Sequence, residues 1–212
     1  MRHRNILNSK HEFLKKKINN INNIQILELG VAQGNSTKMF LEICDKNNGN
    51  LLSVDIDGCS NVSNNSRWKF IHSSDDEFEL INSKIQKPLD LIFIDSLHEA
   101  NHVKKVFFNY YNFMKVGGIC VIDDISWIPY TVGKKKTNSY VALTNIRIFN
   151  KILEIYNSNI NKFTLEFFFE GSGYAIITKL DNSSLIEEKK IIIRKNNIKN
   201  FLKKFFLRKP KK

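Results

Sequence analysis

The stretch QILELGVAQGNS, Gln25–Ser36, decides how this chain is read. An apolar run of Ile26, Leu27 and Leu29 ends at Glu28 and Gly30, a second glycine follows at Gly34, and Asn35-Ser36-Thr37 carries helix-opening side chains. The pattern predicts a buried strand, a tight glycine turn and a capped helix N-terminus. A turn without Cβ atoms lets a ligand lie against bare backbone, facing the amide donors that start the helix. Glu28, at the carboxyl edge of the strand, would repel a diphosphate and hold a cationic amino group. The spacing is Gly-x-x-x-Gly with Ala32 in the middle, not the Gly-x-Gly-x-x-Gly of dinucleotide folds. Such a turn is as often a plain connection, so the flanking chain has to give it meaning.

Working outward, residues 1–23 read as an N-terminal helical extension: a short polar helix near Lys10–Ile18, then the connector NNINN. It would cover a sheet edge or part of a pocket. Downstream, Leu51–Val54 ends in Asp55-Ile56-Asp57, and Lys69–His72 runs into Ser73-Ser74-Asp75-Asp76. Leu89–Ile94 stops at Asp95, and Ile119–Ile122 stops at Asp123-Asp124. Helices are expected between these strands at about Ser36–Cys44, Glu77–Ile85 and Glu99–Met114. This alternation predicts an α/β fold with a Rossmann-like, doubly wound parallel sheet and helices on both faces. A Lys-rich loop (Thr131–Ser139) and a helix at about Val141–Tyr156 follow. Phe163–Phe169 and Tyr174–Leu180 then flank Glu170-Gly171-Ser172-Gly173 as an antiparallel hairpin. The sheet is thus seven-stranded, five parallel strands plus that hairpin, with the domain spanning 24–180 and a tail at 181–212.

At 212 residues the chain is long enough for one domain with a full core. Its 42% hydrophobic and 25% charged residues suit a soluble globular protein and not a disordered one. No run approaches membrane-spanning length, and MRHRNILNSKHEF lacks the apolar core of a signal peptide. Cys44, Cys59 and Cys120 are odd in number and far apart, which predicts free thiols in a reducing cytoplasm. The net charge of +12 owes 11 units to Lys189–Lys212, a segment without an acid, which leaves +1 for the rest. That distribution argues against a nucleic-acid-binding body. Ile198, Phe201, Leu202 and Phe205 share one helical stripe, with Lys199, Lys203 and Lys204 off it. The tail therefore reads as a basic amphipathic helix for an anionic membrane surface, with docking on the domain and a nucleic-acid tether as competing readings. The expectation is a cytoplasmic protein touching the inner membrane face; a homo-oligomer is compatible with the sequence.

In an open parallel sheet, ligands bind outside the carboxyl ends of the strands. Asp55 stands about 20 residues past the glycine turn, where an acid takes the hydroxyls of a ribose; a helix cap is its plain alternative, and Asp57 lies further off. Ser74 and Asp75 are placed to reach an adenine amino group; the alternative is a cap for the next helix, a role that Asp76 also suits. Asp95, Asp123 and Asp124 end neighbouring strands, and three crowded carboxylates repel one another unless protonated or bridged by a cation. Magnesium keeping several waters is the first choice. His98, three residues after Asp95, overhangs the same edge as a general base, a helix-start cap or a further metal ligand. His102 reads as facing solvent or the sheet, and His72 as a strand end.

ELGVAQG (28–34), LLSVDID (51–57), HSSD (72–75), LDLIFIDSLHE (89–99) and KVGGICVIDD (115–124), in that order, resemble the class I S-adenosylmethionine-dependent methyltransferases over about residues 24–180. The pairing of IDxxHE with GGxxVIDD is similar to small metal-dependent O-methyltransferases of antibiotic sugars and surface glycans. It is more distantly similar to the catechol and caffeoyl-CoA type. The resemblance implies S-adenosylmethionine held by Glu28, Gly30, Ala32, Gly34, Ser36, Asp55, Ser74, Asp75 and Asp95. It implies magnesium on Asp95, Asp123 and Asp124, and catalysis by His98 and Asp95 on a hydroxyl of a sugar, glycan or other vicinal diol. Ala32 stands where many members have a third glycine, and Leu97 where the sugar enzymes frequently have an Asp, which leaves His98 as the base. Trp127 and Tyr130 are placed to form an acceptor wall, with a buried core aromatic as the equal alternative for Trp127. The Lys134–Lys136 loop reads first as a solvated charge run, and otherwise as a cover over an anionic acceptor. Two other readings remain: an RNA methyltransferase using the basic tail, though no N/DPPY-type or catalytic-cysteine motif is present, and a catalytically silent cofactor-binding module.

Overall fold

A computed structural model describes residues 2–126 and 139–191. The elements follow in the order α1 (Arg2–Ile18), β1 (Gln25–Leu29), α2 (Asn35–Asn47), β2 (Asn50–Asp55), β3 (Trp68–His72), α3 (Phe78–Asn82) and β4 (Leu89–Ile94). They continue with α4 (Ala100–Tyr111), β5 (Met114–Asp123), α5 (Ser139–Ser158), β6 (Phe163–Phe168) and β7 (Tyr174–Lys179). One seven-stranded sheet has the order β3-β2-β1-β4-β5-β7-β6. The first five strands in that order pair in parallel, while β7 runs antiparallel to both β5 and β6. This is the expected Rossmann-like fold, in which β7 alone is reversed. Strand order turns back between β1 and β4, so the crevice of an open α/β sheet lies at their carboxyl ends.

The strands are apolar on both faces because both faces are covered. Leu27, Leu29, Ile92, Ile94 and Ile122 share a core with Val106 and Phe107 of α4 and Ile148 and Ile152 of α5. The alternate residues Ile26, Leu91, Phe93, Val121 and Ile176 pack with Leu14 and Ile18 of α1 and Met39, Phe40 and Ile43 of α2. Helix α1 reaches across the hairpin and α2: Phe13 stacks on Phe168 at 4.2 Å, Lys17 pairs with Glu166 at 2.8 Å and Lys15 with Glu42 at 2.9 Å. β5 begins at Met114, five residues before the expected start, because Met114 already pairs with Leu89. The register then shifts between Leu89 and Leu91, near Gly117 with its φ of 81°. α3 is shorter than expected, since Lys84 and Ile85 bond back three residues, to Ile81 and Asn82, and end the α-helical pattern.

The beginning of the predicted tail lies on the domain. Asn159 exchanges hydrogen bonds with the backbone of Ile186 at 2.8 and 2.9 Å, and Glu188 sits between Lys104 (2.8 Å) and Lys151 (3.0 Å). Burial opposes the Glu188 charge, yet the two lysines hold its carboxyl down to about 2. The stripe Ile198–Phe205 lies outside the described residues. No described helix is long and apolar enough to cross a membrane. All three cysteines are free and buried.

Candidate active site

The glycine turn is built against the end of β4. Gly30 has a φ of 97°, and a Cβ there would lie 2.1 Å from the Asp95 carbonyl oxygen. The same junction is closed by Asp95 N–H donating to Leu29 O at 2.8 Å and Gly30 N–H to Val54 O at 2.9 Å. Gly34, with a φ of 73°, is the N-cap of α2, and no side chain caps that helix. Ala32 holds a φ of 45°, a left-handed conformation that costs an L-residue about 1 kcal/mol. Ser36 and Thr37, expected to belong to the helix cap, turn back instead to Glu28, at 2.6 and 2.8 Å. The opening amides of α2 are thus free of any side-chain cap.

Glu28 is 0% exposed. It takes a third hydroxyl from Ser53 at 2.6 Å, itself bonded by the Trp68 indole N–H at 2.9 Å. The carboxyl lies behind the turn and not on the crevice, which corrects the expectation that it meets a cationic amino group directly. The reason is strand parity: Glu28 shares the face of Ile26, which α2 covers. Burial pushes its pKa up to about 7, against the three hydroxyls. A carboxyl raised in the folded state contributes stability that is full below its unfolded value near 4.5 and lost as pH rises through about 7. Glu28→Gln should therefore flatten the decline of the melting temperature between about pH 5 and pH 8. Superimposable pH profiles for wild type and variant would contradict this.

Asp55 accepts Val31 N–H (2.7 Å) and Ala32 N–H (2.9 Å) on Oδ2 and Asp57 N–H (2.9 Å) on Oδ1. Partial burial works against its charge, but these backbone donors win and hold the carboxyl below the usual range. It braces the glycine turn while a lone pair of Oδ1 remains for a hydroxyl. Ser74 donates to Asp76 at 2.6 Å. Asp75, only 6% exposed, is turned inward: Ser96 Oγ lies 2.5 Å and His102 Nε2 2.8 Å from its carboxylate, and Tyr110 donates to its carbonyl at 2.8 Å. An adenine amino group would have to compete with both side-chain partners. That hydrogen bond outweighs burial and raises the His102 pKa. His72, as expected, closes its strand, with Nε2 2.8 Å from Ile56 O. Ile56 (72% exposed) and Leu97 (56%) follow Asp55 and precede His98, and present apolar side chains beside these acids.

At the ends of β4 and β5 the acids do converge. His98 Nε2 stands 3.7 Å from Asp95 Oδ1 and 3.5 Å from Asp124 Oδ2, close enough to be drawn by both charges. Asp124 has a φ of 60° and donates its N–H to Asp123 Oδ1 at 2.6 Å. Asp123 Oδ1 also accepts Ser172 Oγ at 3.0 Å and contacts the ammonium of Lys10. Enclosure, then the charges of Asp123 and Asp124, push Asp95 well above the usual carboxylate range, with Lys10 acting the other way. Burial likewise raises Asp123 against the pull of Lys10.

Lys10 is the participant that reading the sequence missed. Lys10, Leu14 and Ile18 fall at i, i+4 and i+8 on one helix face and are all buried, so a cation heading an apolar stripe was the available signal. With Asp123 engaged by Lys10, the residues do not fit a magnesium ion held by three carboxylates. Among the described residues no three His, Cys, Asp or Glu side chains are grouped to hold a metal. The glycine turn and uncapped helix do fit an S-adenosyl ligand. Trp127, Tyr130 and Lys134–Lys136 lie outside the described residues.

Residues 27–125 match a family model described as a methyltransferase domain. No curated protein matches the chain. Among solved structures, the MycE methyltransferase of the mycinamycin biosynthetic pathway, in complex with Mg, SAH and mycinamycin VI, aligns at 19% identity with a TM-score of 0.60. That alignment covers 82% of this chain and 49% of MycE, so the chain spans about half the length of the MycE chain it matches. A Staphylococcus aureus structure assigned as a caffeoyl-CoA O-methyltransferase aligns at 20% identity, covers 82% of each chain and has a TM-score of 0.60. A Clostridium thermocellum structure assigned as an rRNA methylase aligns at 14% identity, covers 84% of this chain and 97% of the other, and has a TM-score of 0.60. At these identities the structural likenesses speak for the fold.

Proposed function

We propose, from the premise that this chain carries a class I S-adenosylmethionine-dependent methyltransferase domain, that it methylates a hydroxyl of a small molecule, a sugar, glycan or other vicinal diol. The observation that carries this reading is the contact between Gly30 and the Asp95 backbone. It joins a ligand cradle to a proton-accepting group, His98 between Asp95 and Asp124, where the strand order reverses.

S-adenosylmethionine, when bound, supplies a sulfonium methyl already activated for direct displacement. The chain's own task is then alignment and proton removal. The turn Gly30–Gly34 and the first amides of α2 would hold the ligand's polar groups, Asp55 a ribose hydroxyl, and Ile56 an apolar face beside it. His98 takes the proton from the acceptor hydroxyl, and the Asp124 carboxylate, 3.5 Å away, faces the imidazolium that results. No step is assigned to magnesium, because Oδ1 of Asp123 is taken by Lys10, whose ammonium already places a positive charge beside these acids. The basic segment after residue 191 is assigned to an anionic surface at the inner membrane face, on its charge pattern alone.

An RNA acceptor is the second reading, favoured by the rRNA-methylase neighbour and the basic tail. Calorimetry with S-adenosylmethionine should give a dissociation constant in the micromolar range, about 1–100 μM. Methyl transfer from labelled donor to a panel of sugars and catechols should follow. No cofactor binding overturns the assignment. Binding with transfer only to RNA favours the second reading, and binding with no transfer at all favours a silent cofactor module.

A further inference from the structure

Three carboxylates meet at the ends of β4 and β5, and the protein itself supplies a cation to them. Lys10 is 3% exposed, carried inward by α1 on the same face as Leu14 and Ile18. Its ammonium contacts Asp123 Oδ1, donates to Ser172 Oγ at 2.6 Å and lies 4.4 Å from the centre of the Tyr174 ring. Carboxylate, hydroxyl and ring face therefore share a single charge, and each comes from a different part of the chain: β5, the β6–β7 hairpin and β7. Asp123 Oδ1 meanwhile has Ser172 and the Asp124 amide as further donors. An oxygen surrounded by an ammonium, a hydroxyl and an amide has no lone pair to offer a metal.

We propose that Lys10 is the resident cation of this rim: it occupies the place on Asp123 that a divalent ion would need, so the N-terminal helix decides whether a metal can bind. Magnesium demands near-octahedral oxygen ligands at about 2.0–2.1 Å and gives up its waters reluctantly. Oδ1 of Asp123 is closed to it by three donors, which leaves Oδ2 as the one oxygen this carboxylate could offer, and the ammonium and the ion would repel each other in an enclosed site. Asp95 and Asp124 alone are the sparse carboxylate set of a weak site. Removing the Lys10 charge frees Asp123 and leaves the acids uncompensated, which is the condition that recruits a hard cation. Lys10 is here a positioning residue. Its role concerns the proposed acceptor site, but the cation-binding test is independent of methyl transfer and of cofactor binding.

The test is magnesium chloride calorimetry on the full chain, with manganese electron paramagnetic resonance as a second readout. The wild type should show no saturable binding tighter than about 1 mM. Lys10→Met keeps the apolar stem against Tyr174, and Lys10→Gln removes the charge with a shorter polar side chain; both take the ammonium off Asp123. In both, the ion should bind at least about tenfold tighter, and adding Asp123→Asn should abolish the gain. Circular dichroism identifies which variants are folded. Wild-type binding as tight as in the variants overturns the proposal, as does a folded Lys10→Met or Lys10→Gln with no gain. If neither variant folds, saturable submillimolar magnesium binding by the wild type overturns it, and absence of such binding supports it. S-adenosylmethionine binding, measured in parallel, reports separately on the methyltransferase reading.

Discussion

Replacing His98 with alanine should lower kcat for hydroxyl methylation by about 10²–10⁴-fold, the range for a lost general base. The dissociation constant for S-adenosylmethionine should stay within about threefold. Among the described residues, His98 is the imidazole that stands between two rim carboxylates, at 3.7 and 3.5 Å, whereas His102 and His72 are engaged by Asp75 and Ile56. Its side chain is 38% exposed, and its neighbour Leu97 has no proton to move. A base that touches the acceptor only as its oxygen attacks should affect kcat far more than KM. Added imidazole should restore part of the lost rate, which a purely structural defect would not permit. If kcat falls by less than about threefold, the base lies elsewhere. If cofactor binding disappears with activity, His98 is acting as a helix-start residue.

Gly30→Ala should cost more than about 3 kcal/mol of folding stability and abolish S-adenosylmethionine binding. Two effects add. At a φ of 97° an L-residue is strained, a cost of about 1–3 kcal/mol. The new Cβ would also stand 2.1 Å from the Asp95 carbonyl oxygen, which is backbone and cannot rotate away. The ends of β1 and β4 would have to separate, which breaks the Asp95–Leu29 hydrogen bond and moves the acid beside His98. Gly58→Ala is the control, since a Cβ there meets nothing within 4 Å. Urea denaturation and calorimetry of both variants check this, and a Gly30→Ala protein as stable as wild type would refute the close approach.

The chain's local patterns carried most of the architecture. Short apolar strands ending in Glu28-x-Gly30, Asp55, Asp95 and Asp123-Asp124 are visible one at a time, because strand period, glycine turns and helix-starting residues are properties of neighbours in sequence. The rim of polar strand ends follows from them once the sheet is parallel. What the sequence could not show is where each carboxylate points and what answers its charge. Glu28 and Asp95 both end strands, yet Glu28 is sealed under α2 by three hydroxyls, while Asp95 opens toward His98. Asp75 turns from the expected adenine site to His102 because α4 passes beside its loop. Lys10 and Asp123 are separated by 113 residues, and no local periodicity links them. Sequence alone thus determined a sheet with acids along one edge. Only the packing of α1 against the hairpin decided that a lysine compensates them, because an ion pair depends on distances between distant segments that folding alone creates.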